Sequence, residues 1–242
     1  MIPPSKPFSK KGAHRLVPSL YSERQTVLED IADDEAMLED VILLDGASND
    51  RLQAELLGLV GISPYELVYG ILNSHIVNAA FTHTSEFGSR FNDSTRGAWY
   101  AAYELKTSIA EVTYHKTKRL ADMVVPELPG HRPDKETSTY DDWLADFRTE
   151  FHVLEPAKDY SEFLQAEPVP ACYAGSQQFA RLLLTEKSNG LVYPSVRRKG
   201  RRCIVCFRPA LVYDPRRDQR LEISFKATAS GYEHHVRNIA IL

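Results

Sequence analysis

Two short stretches of the chain carry residue types that could bind and split an anionic substrate. The first, residues 89–115, reads SRFNDSTRGAWYAAYELKTSIAEVTYH. Arg90 precedes a turn, and its guanidinium could hold a phosphate or pyrophosphate through paired hydrogen bonds. Asn92 is a residue type that ties such turns together by bonding the backbone. Tyr100 ends a short apolar run, and Glu111 lies on the helix predicted to follow it.

These residue types also have ordinary interpretations. Glu111 and His115 share a helix face, and a glutamate on a helix normally faces solvent because carboxylates are rarely buried unpaired. Alternation along a strand would send Trp99 and Tyr100 to opposite faces. Composition and periodicity therefore leave open whether this unit is a solvated edge or a wall of a pocket.

The second stretch, residues 190–207, reads GLVYPSVRRKGRRCIVCF. A predicted strand ends at Pro194, and Ser195 and Arg197 follow. Ser195 could make only a local turn, or it could present its hydroxyl and backbone N–H groups to a phosphate. The arginines of residues 197–202 are typical of a solvated hairpin tip, a docking patch for an acidic partner or a nucleic-acid contact. Nucleic acid ranks last, because interleaved aromatics are missing and the chain is acidic.

Taken together, the two stretches resemble the RES domain, a family named for its arginine, glutamate and serine. The family shows a glycine-preceded Arg-aromatic-Asn, a strand-closing tyrosine, a helix reading t-A-x-x-E-v and a late Gly-Leu/Ile-x-x-Pro-Ser-x-Arg. The matching residues here are 88–92, 99–102, 107–112 and 190–197. The resemblance covers about residues 80–215. Ser89 stands where many members have a second glycine, so the turn before Arg90 is expected to differ slightly from theirs.

The resemblance implies an NAD+-consuming toxin of a bacterial toxin–antitoxin pair, which splits nicotinamide from the ribose and passes the ADP-ribosyl group to phosphate or water. It assigns Glu111 to stabilise the oxocarbenium-like charge on the ribose. Arg90 would hold the pyrophosphate or the attacking phosphate, and Tyr100 would position the nicotinamide-ribose end. The catalytic candidates are Arg90, Tyr100, Glu111 and Ser195. The substrate-binding candidates are Arg90, Asn92, Tyr100, Ser195 and Arg197.

The resemblance implies no metal and no cofactor, since NAD+ is the substrate and inorganic phosphate a possible co-substrate. The implied partner is an Xre-like antitoxin that blocks the NAD+ pocket, within a homodimer or a larger complex that meets DNA only through the antitoxin. Two alternatives stay open. One is a protein ADP-ribosyltransferase on the same scaffold, and the other is a non-enzymatic module that docks a partner through the basic residues 197–220.

The elements that must position these residues come from periodicity, which predicts an α+β fold with a mostly antiparallel sheet and flanking helices. The resemblance adds that this sheet is similar to that of the ADP-ribosyltransferase toxins. We expect a tail and helical segment over residues 1–75 and the RES domain over residues 76–242. Predicted helices span residues 22–44, 52–59, 63–71, 106–120 and 176–186. Predicted strands span residues 76–81, 98–102, 147–154, 190–194, 202–207 and 221–227. Predicted loops span residues 1–13 and 126–142.

The bulk composition favours a cytoplasmic globular protein. The chain has 242 residues, 43% of them hydrophobic, and a net charge of −4. No apolar run approaches the roughly 20 residues of a membrane-spanning helix. The three cysteines are Cys172, Cys203 and Cys206. The last two form a CxxC without a second cysteine or histidine pair at zinc-site spacing, so we expect buried free thiols.

Overall fold

The computed structural model describes residues 2–22, 61–123, 133–155 and 158–240. Apart from Ser22, the helices expected over residues 22–44 and 52–59 lie outside these ranges. The described strands are β1 (Ser5–Pro18), β2 (Trp99–Ala102), β3 (Lys135–Val153), β4 (Gly190–Pro194), β5 (Arg202–Cys206), β6 (Tyr213–Thr228) and β7 (Gly231–Ile239). The described α-helices are α1 (Ser19–Ser22), α2 (Ser74–Thr82), α3 (Leu105–Asp122) and α4 (Ala174–Thr185). Short 3-10 helices cover Pro64–Glu66, Lys158–Leu164, Ala171–Tyr173 and Pro209–Leu211.

Five of the strands close into a ring. The pairing runs from β1 through β2, β5, β4 and β3, and β3 returns to β1. The β3–β4 pair is parallel, while the other strand pairs are antiparallel. The long strand β3 also pairs with β6, and β6 pairs with β7, so these two strands extend from the ring as an arm. The expected α+β class with a mostly antiparallel sheet is confirmed.

Alternate residues of the ring strands belong to separate hydrophobic clusters, as the period of a strand requires. Trp99, Phe147 and Ile204 belong to one buried cluster. Leu191 and Val205 belong to a second cluster, which α4 and the 3-10 helix Lys158–Leu164 cover. A third cluster lies between α3 and the β6–β7 arm. The ring therefore has a packed core on each face, with helix α2 in the first cluster and α4 in the second.

The expectation of a loosely attached N-terminus over residues 1–13 is wrong. Strand β1 pairs with β3 from Ser5 opposite His152 to Pro18 opposite Tyr140, with one irregularity between Lys10 and Ala13. Proline and lysine content pointed to a loop, but pairing with a strand more than 120 residues away overrode that local preference. The loop expected over residues 126–142 is wrong from Lys135 onward for the same reason, because β3 pairs there with β6.

Two further expectations about secondary structure are wrong. Residues 76–81 form part of helix α2 and not a strand, since a short apolar run does not distinguish a buried helix from a buried strand. The helix expected from Ser63 starts as predicted, with a capping box between Ser63 and Glu66, but ends as a 3-10 turn at Glu66. Strand β7 had no predicted counterpart.

The strands and helices that carry the candidate residues are close to their predicted positions. The predicted helices over residues 106–120 and 176–186 correspond to α3 and α4. The strand over residues 190–194 has the predicted bounds. In the part of the chain that the structure describes, no helix is both long enough and apolar enough to cross a membrane.

Candidate functional site

Helix α3 presents Glu111 at the edge of the ring. The face of α3 with Thr107 and Ser108 is buried against the sheet. Ser108 Oγ donates a hydrogen bond of 2.7 Å to the carbonyl of His14, which fixes the helix on β1. Glu111 follows Ser108 by three residues and is half-buried. The glutamate is therefore not on the solvated face that its residue type alone would suggest.

Glu111 is paired with Ser195. The Ser195 Oγ donates a hydrogen bond of 2.7 Å to Glu111 Oε1, across 84 residues of sequence. Ser195 Oγ itself accepts hydrogen bonds from the backbone N–H groups of Arg197 at 3.2 Å and Arg198 at 3.0 Å. These two N–H donors orient the hydroxyl, so its own hydrogen points at the carboxylate. Ser195 is buried, and the two residues form a fixed glutamate–serine pair.

A glycine at the start of β4 sets the position of Ser195. Gly190 has φ near +140°, and a Cβ there would lie 2.1 Å from the carbonyl oxygen of Val205 on the neighbouring strand. Only glycine allows this approach, because the contact is with backbone that cannot move aside. The strand then runs in register with β5 to Pro194, opposite Arg202, and Ser195 follows at its end.

Burial and neighbouring groups act in opposite directions on the pKa of Glu111. Burial raises the pKa of this carboxyl above its ordinary value, while the Ser195 hydrogen bond and the charges of Arg197 and Arg90 oppose the rise. The thiol of Cys203 makes a weak contact with Glu111 Oε1 at 3.9 Å. A carboxyl whose pKa is displaced by burial between two cations is a frequent feature of functional sites.

The turn that carries Arg90 is fixed by its neighbours. Ser89 and Asn92 exchange backbone hydrogen bonds of 2.8 and 3.4 Å across the turn. Gly88 has a positive φ of 65°, and a Cβ there would lie 2.2 Å from the carbonyl oxygen of Asn92. The glycine before the Arg-aromatic-Asn pattern is therefore needed for the backbone of the turn itself.

Tyr100 and Asn92 hold the same turn with their side chains. The Tyr100 hydroxyl accepts the backbone N–H of Phe91 at 2.9 Å and donates to Asn92 Oδ1 at 2.8 Å. Asn92 Nδ2 in turn donates to the carbonyl of Asp93 at 2.8 Å. Burial raises the pKa of Tyr100, so its hydroxyl stays protonated. The structure places these two predicted substrate contacts behind Arg90, as parts of its support.

Arg90 itself is buried and directed toward the residues after β3. Its Nη1 donates to the carbonyls of Phe163 at 3.0 Å and Gln165 at 2.8 Å. Its Cζ lies 5.0 Å from the ring centroid of Tyr173. Within the described ranges Arg90 has no carboxylate at ion-pair distance, and its nearest partners are two carbonyl dipoles and a ring face.

Arg197 follows the serine turn and stacks on α3. Its Cζ lies 3.3 Å from the ring centroid of Tyr114, and its Nη2 donates to the carbonyl of Ala166 at 2.9 Å. Its Nε is buried and has no hydrogen-bond partner in the described structure. A buried donor without a partner is costly, and a guanidinium is well suited to pair with a carboxylate or a phosphate.

Three tyrosines of the site were not among the sequence candidates. Tyr173 lies under Arg90, and burial raises its pKa while the charges of Arg90 and Arg197 lower it. The Tyr193 ring contacts Phe91 at a centroid distance of 4.9 Å, and burial raises its pKa well above the usual range. Tyr114 is the platform for Arg197. Tyr114 and Tyr193 lie within or beside the two patterns, whereas nothing in the sequence near Tyr173 indicated a role.

The two cysteines of the CxxC do not share a site. Cys203 and Cys206 are both buried and free, and they belong to hydrophobic clusters on different faces of the ring. Burial raises the pKa of the Cys206 thiol to about 12. The expectation of buried free thiols is confirmed. Among the described residues, no group of three or more histidines, cysteines and carboxylates could hold a metal ion.

Much of the basic stretch 197–220 is neutralised within the chain. Arg198 and Arg201 both pair with Glu104, and Arg202 pairs with Glu155. Four more arginines farther along the stretch form salt bridges: Arg208–Glu66, Arg216–Asp146, Arg217–Asp141 and Arg220–Asp141. Arginines that are already paired attract an acidic partner only weakly, and this argues against a non-enzymatic module that docks through this stretch.

The fold and the site define a mixed α/β protein with a seven-stranded sheet and an arginine–glutamate–serine centre. A family model of the RES domain matches residues 67–226, and the chain belongs to that family. No curated protein matches. Among solved structures, the M. tuberculosis MbcT–MbcA toxin–antitoxin complex contains a chain that is 14% identical, with a TM-score of 0.39. That match covers 59% of this chain and 73% of the other.

Proposed function

We propose that this chain cleaves NAD+ at the nicotinamide–ribose bond and acts as the toxin of a toxin–antitoxin pair. The observation that carries the proposal is the hydrogen bond of 2.7 Å between Ser195 and Glu111, at a half-buried position that Arg90 and Arg197 influence. Membership of the RES family supports the same reading, because the three residues that name the family lie in this site.

The glutamate supplies the stabilising charge. As nicotinamide leaves, positive charge develops on the ribose C1 and its ring oxygen, and an ionised carboxylate beside it lowers the barrier. Ser195 holds Glu111 Oε1 in one orientation, so that little reorganisation is needed when the charge appears. The bond's electron pair goes to the pyridinium ring, and nicotinamide departs as a neutral molecule.

The arginines supply the contact to phosphate. Arg90 and Arg197 both lie close enough to Glu111 to lower its pKa, and neither has a carboxylate partner within the described ranges. Two unpaired guanidiniums beside one carboxylate suit a ligand whose phosphates lie next to the ribose that reacts. Tyr100 and Asn92 contribute by fixing the turn that aims Arg90.

The acceptor is phosphate or water. The oxygen of either adds to the ribose carbon that nicotinamide left, and Glu111, with its raised pKa, can receive the proton that water must lose. Phosphate would give ADP-ribose 1″-phosphate, and water would give ADP-ribose. We further propose, from family membership, a cytoplasmic Xre-like antitoxin as the partner.

The acceptor and the reaction can be tested together. The chain, purified free of any co-expressed partner, is incubated with NAD+ with and without inorganic phosphate, and products are followed by proton and phosphorus NMR. Nicotinamide together with a sugar phosphate that forms only with added phosphate defines a phosphorylase. Nicotinamide with free ADP-ribose in both samples defines a glycohydrolase. Intact NAD+ in both samples, with label from NAD+ appearing on protein in a lysate, would instead favour the protein ADP-ribosyltransferase.

A further inference from the structure

A recess lies beside the turn that follows Ser195. It has a volume of about 590 Å³ and lies between helix α3, strand β7 and the turn after Ser195. Arg197 and Tyr114, which stack on each other at the candidate site, are also part of its wall. We call it the α3–β7 cleft. A volume of this size is in the range that holds a small organic ligand.

Small side chains on α3 create the cleft. Ala110, Thr113 and Thr117 follow one another at helical spacing, and Ile109 gives the floor an apolar patch. Tyr232 of strand β7 faces them from the other side. The cleft therefore combines an apolar floor with aromatic rings, and these groups bind flat, partly apolar rings such as a nucleobase.

The charge of the cleft is positive. Lys106 and Arg197 line it, and neither has an ion-pair partner among the residues that the structure describes. Arg198 also lines it but is neutralised by Glu104, with Nη1 3.2 Å from Oε2. None of the described lining residues is a carboxylate. The buried Nε of Arg197 adds a hydrogen-bond donor without a partner.

We propose that the α3–β7 cleft binds the adenosine-phosphate half of NAD+, so that the dinucleotide extends from the glutamate–serine pair past Arg197 into the cleft. This inference rests on the proposed cleavage of NAD+. Arg197 lines the cleft and its charge also acts on the Glu111 carboxyl, so the cleft lies next to the glutamate–serine pair. The nicotinamide-ribose would lie at Glu111, the phosphates at Arg197 and Lys106, and the adenosine on the apolar floor.

The test compares NAD+ with nicotinamide mononucleotide, which carries the same scissile bond and lacks the adenosine-phosphate half. The variants are Lys106→Glu, which reverses an exposed charge of the cleft, and Ala110→Leu, which fills its floor. Both are on helix α3 at positions that tolerate helix-forming residues. Lys199→Glu is the control, because it makes the same charge change at an exposed position near the cleft but outside its lining.

We expect wild type to cleave NAD+ with a kcat/KM at least about tenfold above that for the mononucleotide, since remote binding energy contributes to the rate. Lys106→Glu and Ala110→Leu should lose most of that preference while their cleavage of the mononucleotide is unchanged. Lys199→Glu should retain it. A direct measurement is titration with AMP, which should bind wild type and Lys199→Glu but bind the two cleft variants at least about tenfold more weakly.

Two results would overturn the inference, and a third would overturn the function beneath it. The inference fails if wild type cleaves both compounds equally well, or if the cleft variants keep the preference and the affinity for AMP. If wild type cleaves neither compound, the proposed function fails, whatever the cleft variants do. A variant that loses the circular dichroism signal of the folded protein is excluded from the comparison, and the other variant then decides.

Discussion

The Arg90 turn and the Ser195 turn are built differently, although both lie beside strands of the same ring. In the Arg90 turn, residues 89–92, the side chains of Tyr100 and Asn92 satisfy one another and the backbone. In the Ser195 turn, residues 195–198, the hydroxyl points out of the turn at a carboxyl whose pKa is raised by burial. The first arrangement holds one arginine in place, and the second holds a group that is able to react.

The comparison distinguishes residues that hold the backbone in place from residues that can take part in the reaction, although both kinds belong to the same family pattern. The family resemblance made both Tyr100 and Glu111 catalytic candidates. The geometry gives Tyr100 a hydroxyl with both of its hydrogen bonds used inside the turn, whereas Glu111 has one strong partner and two nearby cations. Substitutions at Glu111, Ser195 and Tyr100 should therefore have different consequences, and four predictions test the difference.

The largest effect should come from Glu111. Replacing it with glutamine keeps the size of the side chain and removes the negative charge that would oppose the ribose cation. We expect kcat for NAD+ cleavage to fall by about a hundred- to a thousandfold, as for loss of one preorganised stabilising group. Glu150→Gln, an exposed residue on β3, is the matched control and should retain activity. Comparable activity in Glu111→Gln would break the contrast.

Ser195→Ala should come next. Without the hydroxyl, Glu111 loses the hydrogen bond that orients it, and misorientation of a reacting group costs up to about a hundredfold in rate. That hydrogen bond also opposes the rise in the pKa of Glu111, so its removal should move the acid limb of the pH–rate profile to higher pH. A lower rate with an unmoved acid limb would indicate that Ser195 acts only on the fold.

Tyr100→Phe should affect stability more than chemistry. The substitution leaves the buried backbone N–H of Phe91 without its acceptor, which costs about 1–3 kcal/mol. We expect a lower urea midpoint, a higher KM through a less ordered Arg90, and a kcat close to that of wild type. Tyr65→Phe is the control, because Tyr65 is 98% exposed. A collapse of kcat in Tyr100→Phe with unchanged stability would place Tyr100 in the chemistry.

The smallest effect should be a pH-dependent change in stability. Because burial raises the pKa of Glu111 in the folded state, its contribution to stability is fully present below the ordinary value of 4.5 and is lost as the pH rises through the raised value. Glu111→Gln does not lose that contribution. The difference in melting temperature between Glu111→Gln and wild type should therefore shift in favour of the variant between acid and neutral pH. A constant difference would mean that the pKa is not raised.

The sequence predicted the helix and strands that carry the candidate site better than it predicted the long strands of the sheet around them. Helix α3 and strand β4 have strong local patterns, and the family pattern placed Glu111 on the helix and Ser195 directly after the strand. Strand β1 was missed because it pairs with β3 across more than 120 residues, and the first half of β3 was missed because it pairs with β6, which is 67 to 91 residues away. Local composition does not encode such distant pairing. Tyr173 could not be foreseen either, since it reaches Arg90 only through the fold.

The central claim is that Glu111 is the group on which NAD+ cleavage depends. The most direct measurement is the rate of nicotinamide release from NAD+ by the purified chain, compared with Glu111→Gln under the same conditions. The account predicts release by wild type and a loss of about a hundredfold or more in the variant. Release at equal rates by both proteins, or no release by a folded wild-type chain, would contradict it.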